Sequence, residues 1–194
     1  MDERLRAAIA LAAGRSALDP LLLQALVEQE SNYRQYAWNP EPRYHYLWDV
    51  RARRPFRAIT VAEIRSEFPP PDFYAPPGVA PDAEWWGQQT SWGLTQVMGA
   101  VARERGFAGD FLTELLDVET NLAYGARHLA GLIAWAERRG ASAAADVRLA
   151  AALAAYNGGT GGNEPDAAPD RNAAYAHAVL TRFQRISGRT RIGP

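Results

Sequence analysis

Nine of the thirteen prolines fall between Asn39 and Thr90, at positions 40, 42, 55, 69, 70, 71, 76, 77 and 81. Proline lacks the N–H that a helix or ladder needs and restricts the residue before it, so this stretch cannot form long regular elements. The segments on either side are rich in alanine and leucine, the residues that helices favour. The chain therefore reads as two helical blocks separated by an irregular one. Proline-rich stretches of this length are usually linkers, but this one carries Tyr44, Tyr46, Trp48, Phe73, Tyr74, Trp85 and Trp86. That aromatic content suits an ordered insertion packed on the main body. The fold class expected is mainly α, with a small β-hairpin inside the insertion at about 39–90. At 194 residues the expectation is a single domain, 1–194, large enough to bury a core.

Helices are expected over residues 3–13, 20–31, 94–106, 109–116, 118–138, 143–156 and 170–186. The second is well signalled, with Asp19 as N-cap and Pro20 at the first helical position. Within the insertion only "TVAEIRSEF" (60–68) has a helical start, Thr60 followed three residues later by Glu63. "GGTGG" and "NEPDAAPD" break the last two helices apart.

Net charge is −1 and the pI about 6.3, so no field recruits polyanions, and nucleic acid is not expected as a partner. The absence of cysteine excludes disulfides and thiolate metal sites. His45, His128 and His177 form no HExxH or HxH pair, so neither a metal nor an organic cofactor is expected. The apolar run Ala7–Ala13 follows acidic residues and suits an ordinary first helix rather than a signal peptide. No stretch approaches the roughly 20 apolar residues needed to cross a bilayer, so stable membrane insertion is not expected either.

The chemistry centres on "ALVEQES" (25–31). At 100° per residue, Leu23, Leu26 and Val27 lie within about 60° of Glu30 around the helix axis. Glu28 lies about 200° away, facing water. Glu30 also sits in the last helical turn, where the dipole opposes an ionised carboxylate. Both effects favour the protonated form, as a general acid requires. The competing reading is a helix-end glutamate satisfied by an arginine such as Arg34.

Three further runs follow in order. "SWGLTQVMG" (91–99) sets a glycine and a glutamine beside an apolar helix start. "TNLAYGARHLAGLI" (120–133) places Asn121, Gly125 and Leu129 on one helix face with a small gap. "LAAYNGGTGG" (153–162) ends a helix with a tyrosine, an asparagine and glycines. Taken together, ALVEQES, GLTQVM, NLAYGARHL and AAYNGGTG resemble the lytic transglycosylases, the lysozyme-like enzymes of the soluble lytic murein transglycosylase type. The resemblance covers residues 4–38 and 91–183.

The resemblance implies that Glu30 is the catalytic acid/base and that Tyr156 approaches its carboxyl group, with Asn157 holding the turn beside it. Ser31 completes the Glu–Ser pair, and Gly93, Leu94, Gln96 and Met98 line the saccharide groove. It also implies a substrate and a reaction: cleavage of the β-1,4 bond from N-acetylmuramic acid to N-acetylglucosamine in peptidoglycan, leaving a 1,6-anhydromuramoyl end. Two positions depart from the family pattern, Thr95 in place of methionine and Gly99 in place of proline. The larger departure is the insertion, which puts 66 positions (96 − 30) between Glu30 and Gln96 where the family has far fewer.

The insertion brings Asp49, Asp72, Asp82 and Glu84, any of which can be the second carboxylate of a goose-type-like muramidase. Its aromatics can stack on sugars or form a mini-core. A non-catalytic glycan-binding virion module is the alternative outside enzymes. The lead expectation is a monomeric enzyme acting on peptidoglycan glycan strands. It would be made in the cytoplasm without a visible signal peptide and act on the cell wall in the periplasm. A phage or prophage endolysin, released by a holin or carried in a virion, fits that description.

Overall fold

The computed structural model describes residues 1–161 and 172–188. The expected NEPDAAPD break, at 163–170, lies outside the described residues. The chain divides into two units: Met1–Tyr33 with Ala126–Pro194, and Arg34–Gly125.

The first unit is helical. α1 (Glu3–Arg15) starts where the Asp2 carboxylate accepts from Leu5 N at 2.8 Å, and α2 (Pro20–Ser31) where Asp19 accepts from Leu21 N at 2.8 Å. Each cap satisfies an N–H that the helix itself leaves unpaired. α2 buries Leu22, Leu23, Leu26 and Val27 and stops at Asn32 and Tyr33, which take left-handed φ values of 49° and 63°. The later part of α6 (Val118–Arg139), then α7 (Ala145–Gly158) and α8 (Ala173–Ser187), complete the unit. α8 packs against both α2 and α7. Leu132, Ala136, Ala151, Ala152 and Ala155 form a core of small side chains.

The second unit is organised around a three-stranded antiparallel sheet in the order β1 (Trp38–Pro40), β4 (Thr90–Trp92), β5 (Val97–Met98). The register sets Trp38 opposite Trp92 and Ser91 opposite Met98. The insertion thus enters and leaves on paired strands. Within it lie the expected hairpin, β2 (Trp48–Asp49) with β3 (Arg54–Pro55), and the short helix α3 (Val61–Ile64), whose Thr60–Glu63 capping box forms as expected. It also holds a helix missed in the sequence, α4 (Pro81–Gln88). Leu47, Phe73, Trp85 and Ala100 make one core, with Phe73 set edge-on to Trp85 at 5.1 Å. Trp92, Val97, Val101, Phe107, Leu112 and Leu115 make a second.

The expected helix over 94–106 is shorter than its pattern: β5 occupies Val97–Met98, and α5 runs only Gly99–Glu104. Gln96 adopts φ 48°, which no helix interior allows. α4 lies so close to α5 that a Cβ on Gly99 would meet Gly87 O at 2.1 Å. Neither proline nor any residue but glycine fits there, which explains that departure from the family pattern. A salt bridge with side chains only 3% and 1% exposed, Arg103 to Glu84 at 2.8 Å, fastens the same two helices. Gln88 extends it, donating to Glu84 at 2.9 Å and to Trp48 O at 3.0 Å.

Candidate active site

In the first unit the last turn of α2 presents Glu30, half-buried. Tyr175, on α8, donates its hydroxyl to Glu30 Oε1. Burial first, then the Glu30 charge, the hydrogen bond to it and the nearby Tyr156, push the Tyr175 phenol far above its ordinary value of 10.0. Tyr175 therefore stays a neutral donor at any physiological pH. By reciprocity, the hydroxyl favours the ionised form of Glu30, opposing what burial does.

Tyr156 is half-buried near the end of α7, its ring tilted against His128 with centroids 5.1 Å apart. A phenolate at Tyr156 would disfavour one at Tyr175, so the two phenols lie near each other. Asn157 Nδ2 donates to Asn172 Oδ1 at 2.8 Å, joining the end of α7 to the residue that opens α8, three positions before Tyr175. Ser31 is 1% exposed, and its hydroxyl donates to Val27 O at 3.1 Å within its own helix.

Glu28 is not the solvated residue its phase suggested. Its side chain is 21% exposed and accepts from Tyr33 Oη at 2.8 Å and from Arg185 Nη2 at 2.6 Å, with Arg182 nearby. Burial acts to raise its pKa, but Tyr33 and the two arginines outweigh it and hold the carboxyl below 4.5. It is an ion-pair centre tying α2 to α8.

In the second unit Gly93, Leu94, Gln96 and Met98 lie on the β4–β5 hairpin. Gly93 N donates to Ala37 O at 2.7 Å, Leu94 is 1% exposed, and Met98 is half-buried. Gln96 is no free surface residue. Its Nε2 donates to Gly93 O at 2.8 Å and Ala37 O at 3.2 Å, and its Oε1 accepts from Ser91 Oγ at 3.1 Å. Asn121 braces the hairpin from α6: its Oδ1 accepts from Thr95 N and Oγ1, and its Nδ2 donates to Trp92 O and Leu115 O, all at 2.7–2.8 Å. The gap at Gly125 houses Thr95, since a Cβ there would meet Thr95 Oγ1 at 2.3 Å.

The insertion's carboxylates are engaged. Asp49 accepts from Arg51 N and Ala52 N, Asp72 pairs with Arg57 at 2.6 Å, Glu84 with Arg103, and Asp82 accepts from Ala83 N. Among the described residues no group of three or more His, Asp or Glu side chains is placed to hold a metal ion.

Tyr175 escaped the sequence reading. The signal was its phase: it stands four residues before the buried Val179 and next to the buried Ala176, and a phenol on a buried helix face needs an acceptor. Compared with known proteins, residues 7–179 match the family model described as "Transglycosylase SLT domain". No curated protein matches the chain.

Proposed function

We propose a single-carboxyl mechanism for this chain, which belongs to the SLT transglycosylase family and is thus a lyase-type enzyme that degrades peptidoglycan in the cell wall. Glu30 is the acid and then the base. Protonated, it gives its proton to the glycosidic oxygen between N-acetylmuramic acid and N-acetylglucosamine as the C1–O bond breaks. The carboxylate left behind takes the proton of the C6 hydroxyl of the same muramoyl residue while that oxygen closes on C1. The product carries a 1,6-anhydro ring, no water is consumed, and Glu30 regains its proton.

Ordinary hydrolysis needs a second carboxylate roughly 5–9.5 Å from the first. The observation that carries our reading is that Asp49, Asp72 and Glu84 are each committed to a turn or an arginine, and Asp82 to a helix N–H. This favours the intramolecular nucleophile over a hydrolytic muramidase. A phenol that stays neutral orients the Glu30 carboxylate, a role a pure glycan-binding module would not need. We assign Tyr156 to the same carboxyl environment, Asn157 and Ser31 to holding it in place, and the Gly93–Met98 hairpin to the saccharide.

The test is mutational. Glu30→Gln is expected to abolish lysis of purified murein with the melting temperature unchanged. Tyr175→Phe should lower kcat roughly tenfold, equivalent to about 1.4 kcal/mol of barrier. It should also move the alkaline limb of the rate–pH profile upward, because Glu30 must start protonated and a donor to its ionised form is gone. Substantial lysis by Glu30→Gln, or an unmoved alkaline limb, overturns the assignment.

A further inference from the structure

Apart from the residues assigned above, the second unit holds a cavity of about 360 Å³ lined by Trp38, Trp86, Trp92, Phe111, Leu112 and Thr113, among others. Its size falls in the range of small-ligand sites. Large apolar side chains are commonly exposed one at a time, but here three converge: Trp38, Phe111 and Trp86 are 60%, 53% and 37% exposed. Their positions are fixed. Trp38 stands opposite Trp92 in the β1–β4 register, and the Trp92 indole N–H donates to Gly87 O at 2.9 Å. The Trp86 indole donates to Glu67 O at 3.2 Å, and the Phe111 N–H donates to the Glu114 carboxylate at 2.9 Å.

The cavity offers no charge to a ligand, because its acidic lining residue, Glu84, is buried and neutralised by Arg103. Flat rings without charge suit a neutral ring with apolar faces and polar edges rather than an ion. Rigid tryptophans cover such faces at low conformational cost. Trp92 lines the cavity and leads directly into Gly93. The Ala37 carbonyl that receives Gly93 N and Gln96 Nε2 precedes Trp38. One short pair of strands therefore joins the cavity to the hairpin assigned to the saccharide.

We propose that this cavity is a secondary sugar site that holds a neutral N-acetylhexosamine of the glycan strand, with Trp38 and Phe111 as its stacking platforms. This rests on the glycan-cleaving reading above. The insertion supplies Trp86 to the site and keeps Trp85, 1% exposed, for its core.

The test uses the full-length Glu30→Gln protein and N-acetylchitotetraose. Saturable shifts of the Trp38 and Trp86 indole N–H resonances are expected on titration. Trp38→Ala and Phe111→Ala should each weaken tetraose binding about tenfold by calorimetry, while Trp38→Phe, which keeps a ring, retains most of it. The titration of Glu30→Gln with its cavity intact does not depend on how any cavity variant folds. Unmoved Trp38 and Trp86 indoles on tetraose titration, or unchanged affinity in both alanine variants, would overturn the proposal. So would phosphatidylcholine vesicles shifting the indoles that tetraose leaves in place. Failure of the glycan-cleaving reading would show separately, as lysis retained by Glu30→Gln.

Discussion

The two units reach order by different means. The first is packed as helices usually are, with Leu22, Leu23, Leu26 and Val27 on one stripe and alanines letting neighbouring helices close in. The second is fastened by buried polar groups: Arg103 with Glu84 and Gln88, Asn121 with Thr95, Gln96 with Ser91. An apolar stripe tolerates shifts of a neighbour because its attraction has no direction. A buried network admits one arrangement, and a member left alone costs more than the bond it made. The contrast teaches where each kind of precision is used. The polar fastening fixes a short hairpin and an irregular insertion, whose few regular elements cannot fix themselves.

The sharpest way to break this contrast is Arg103→Ala, which strands Glu84 in the interior. A loss of about 3–5 kcal/mol is expected, read from urea unfolding. Replacing both partners with apolar residues of similar volume should recover much of it. A loss below 1 kcal/mol in the single variant would mean that the second unit, too, is held chiefly by its apolar cores.

The smallest expected effect is at Glu28 in the first unit, whose ion pairs are partly open to water. Glu28→Gln should cost about 1 kcal/mol or less at neutral pH and leave lysis intact. The sign with pH follows from its depressed pKa. The stabilisation is complete above the unfolded value of 4.5 and is lost as pH falls through the lower folded value. The melting temperatures of wild type and variant should therefore differ at pH 7 and converge towards pH 3. A gap that persists at pH 3 would show that Glu28 acts by packing and not by charge.

The same contrast governs what the sequence disclosed. α1 and α2 were legible because their period and caps are local, α6 and α7 from their period, and the phase of α2 singled out Glu30 as the candidate acid. Tyr175 was not, because its acceptor lies 145 positions away. The hairpin was read as a helix start because the bonds that impose it span 29 positions from Asn121 to Trp92 and 59 from Gln96 to Ala37. The insertion's order was legible in its aromatics, but α4 was not, since the Glu84–Arg103 and Gln88–Trp48 contacts that hold it join separate segments. Glycine 99 stood out as a departure, and only the Gly87 carbonyl explained it.

Mass spectrometry of the muropeptides released from purified murein tests the central claim, that one carboxyl group suffices here, most directly. A muramoyl end made by the C6 hydroxyl is lighter by one water than an end made by hydrolysis. The account predicts 1,6-anhydromuramoyl ends throughout, unaffected by Asp82→Asn in the insertion. Reducing ends from the wild-type enzyme, lost when one of the insertion carboxylates is replaced, would contradict it.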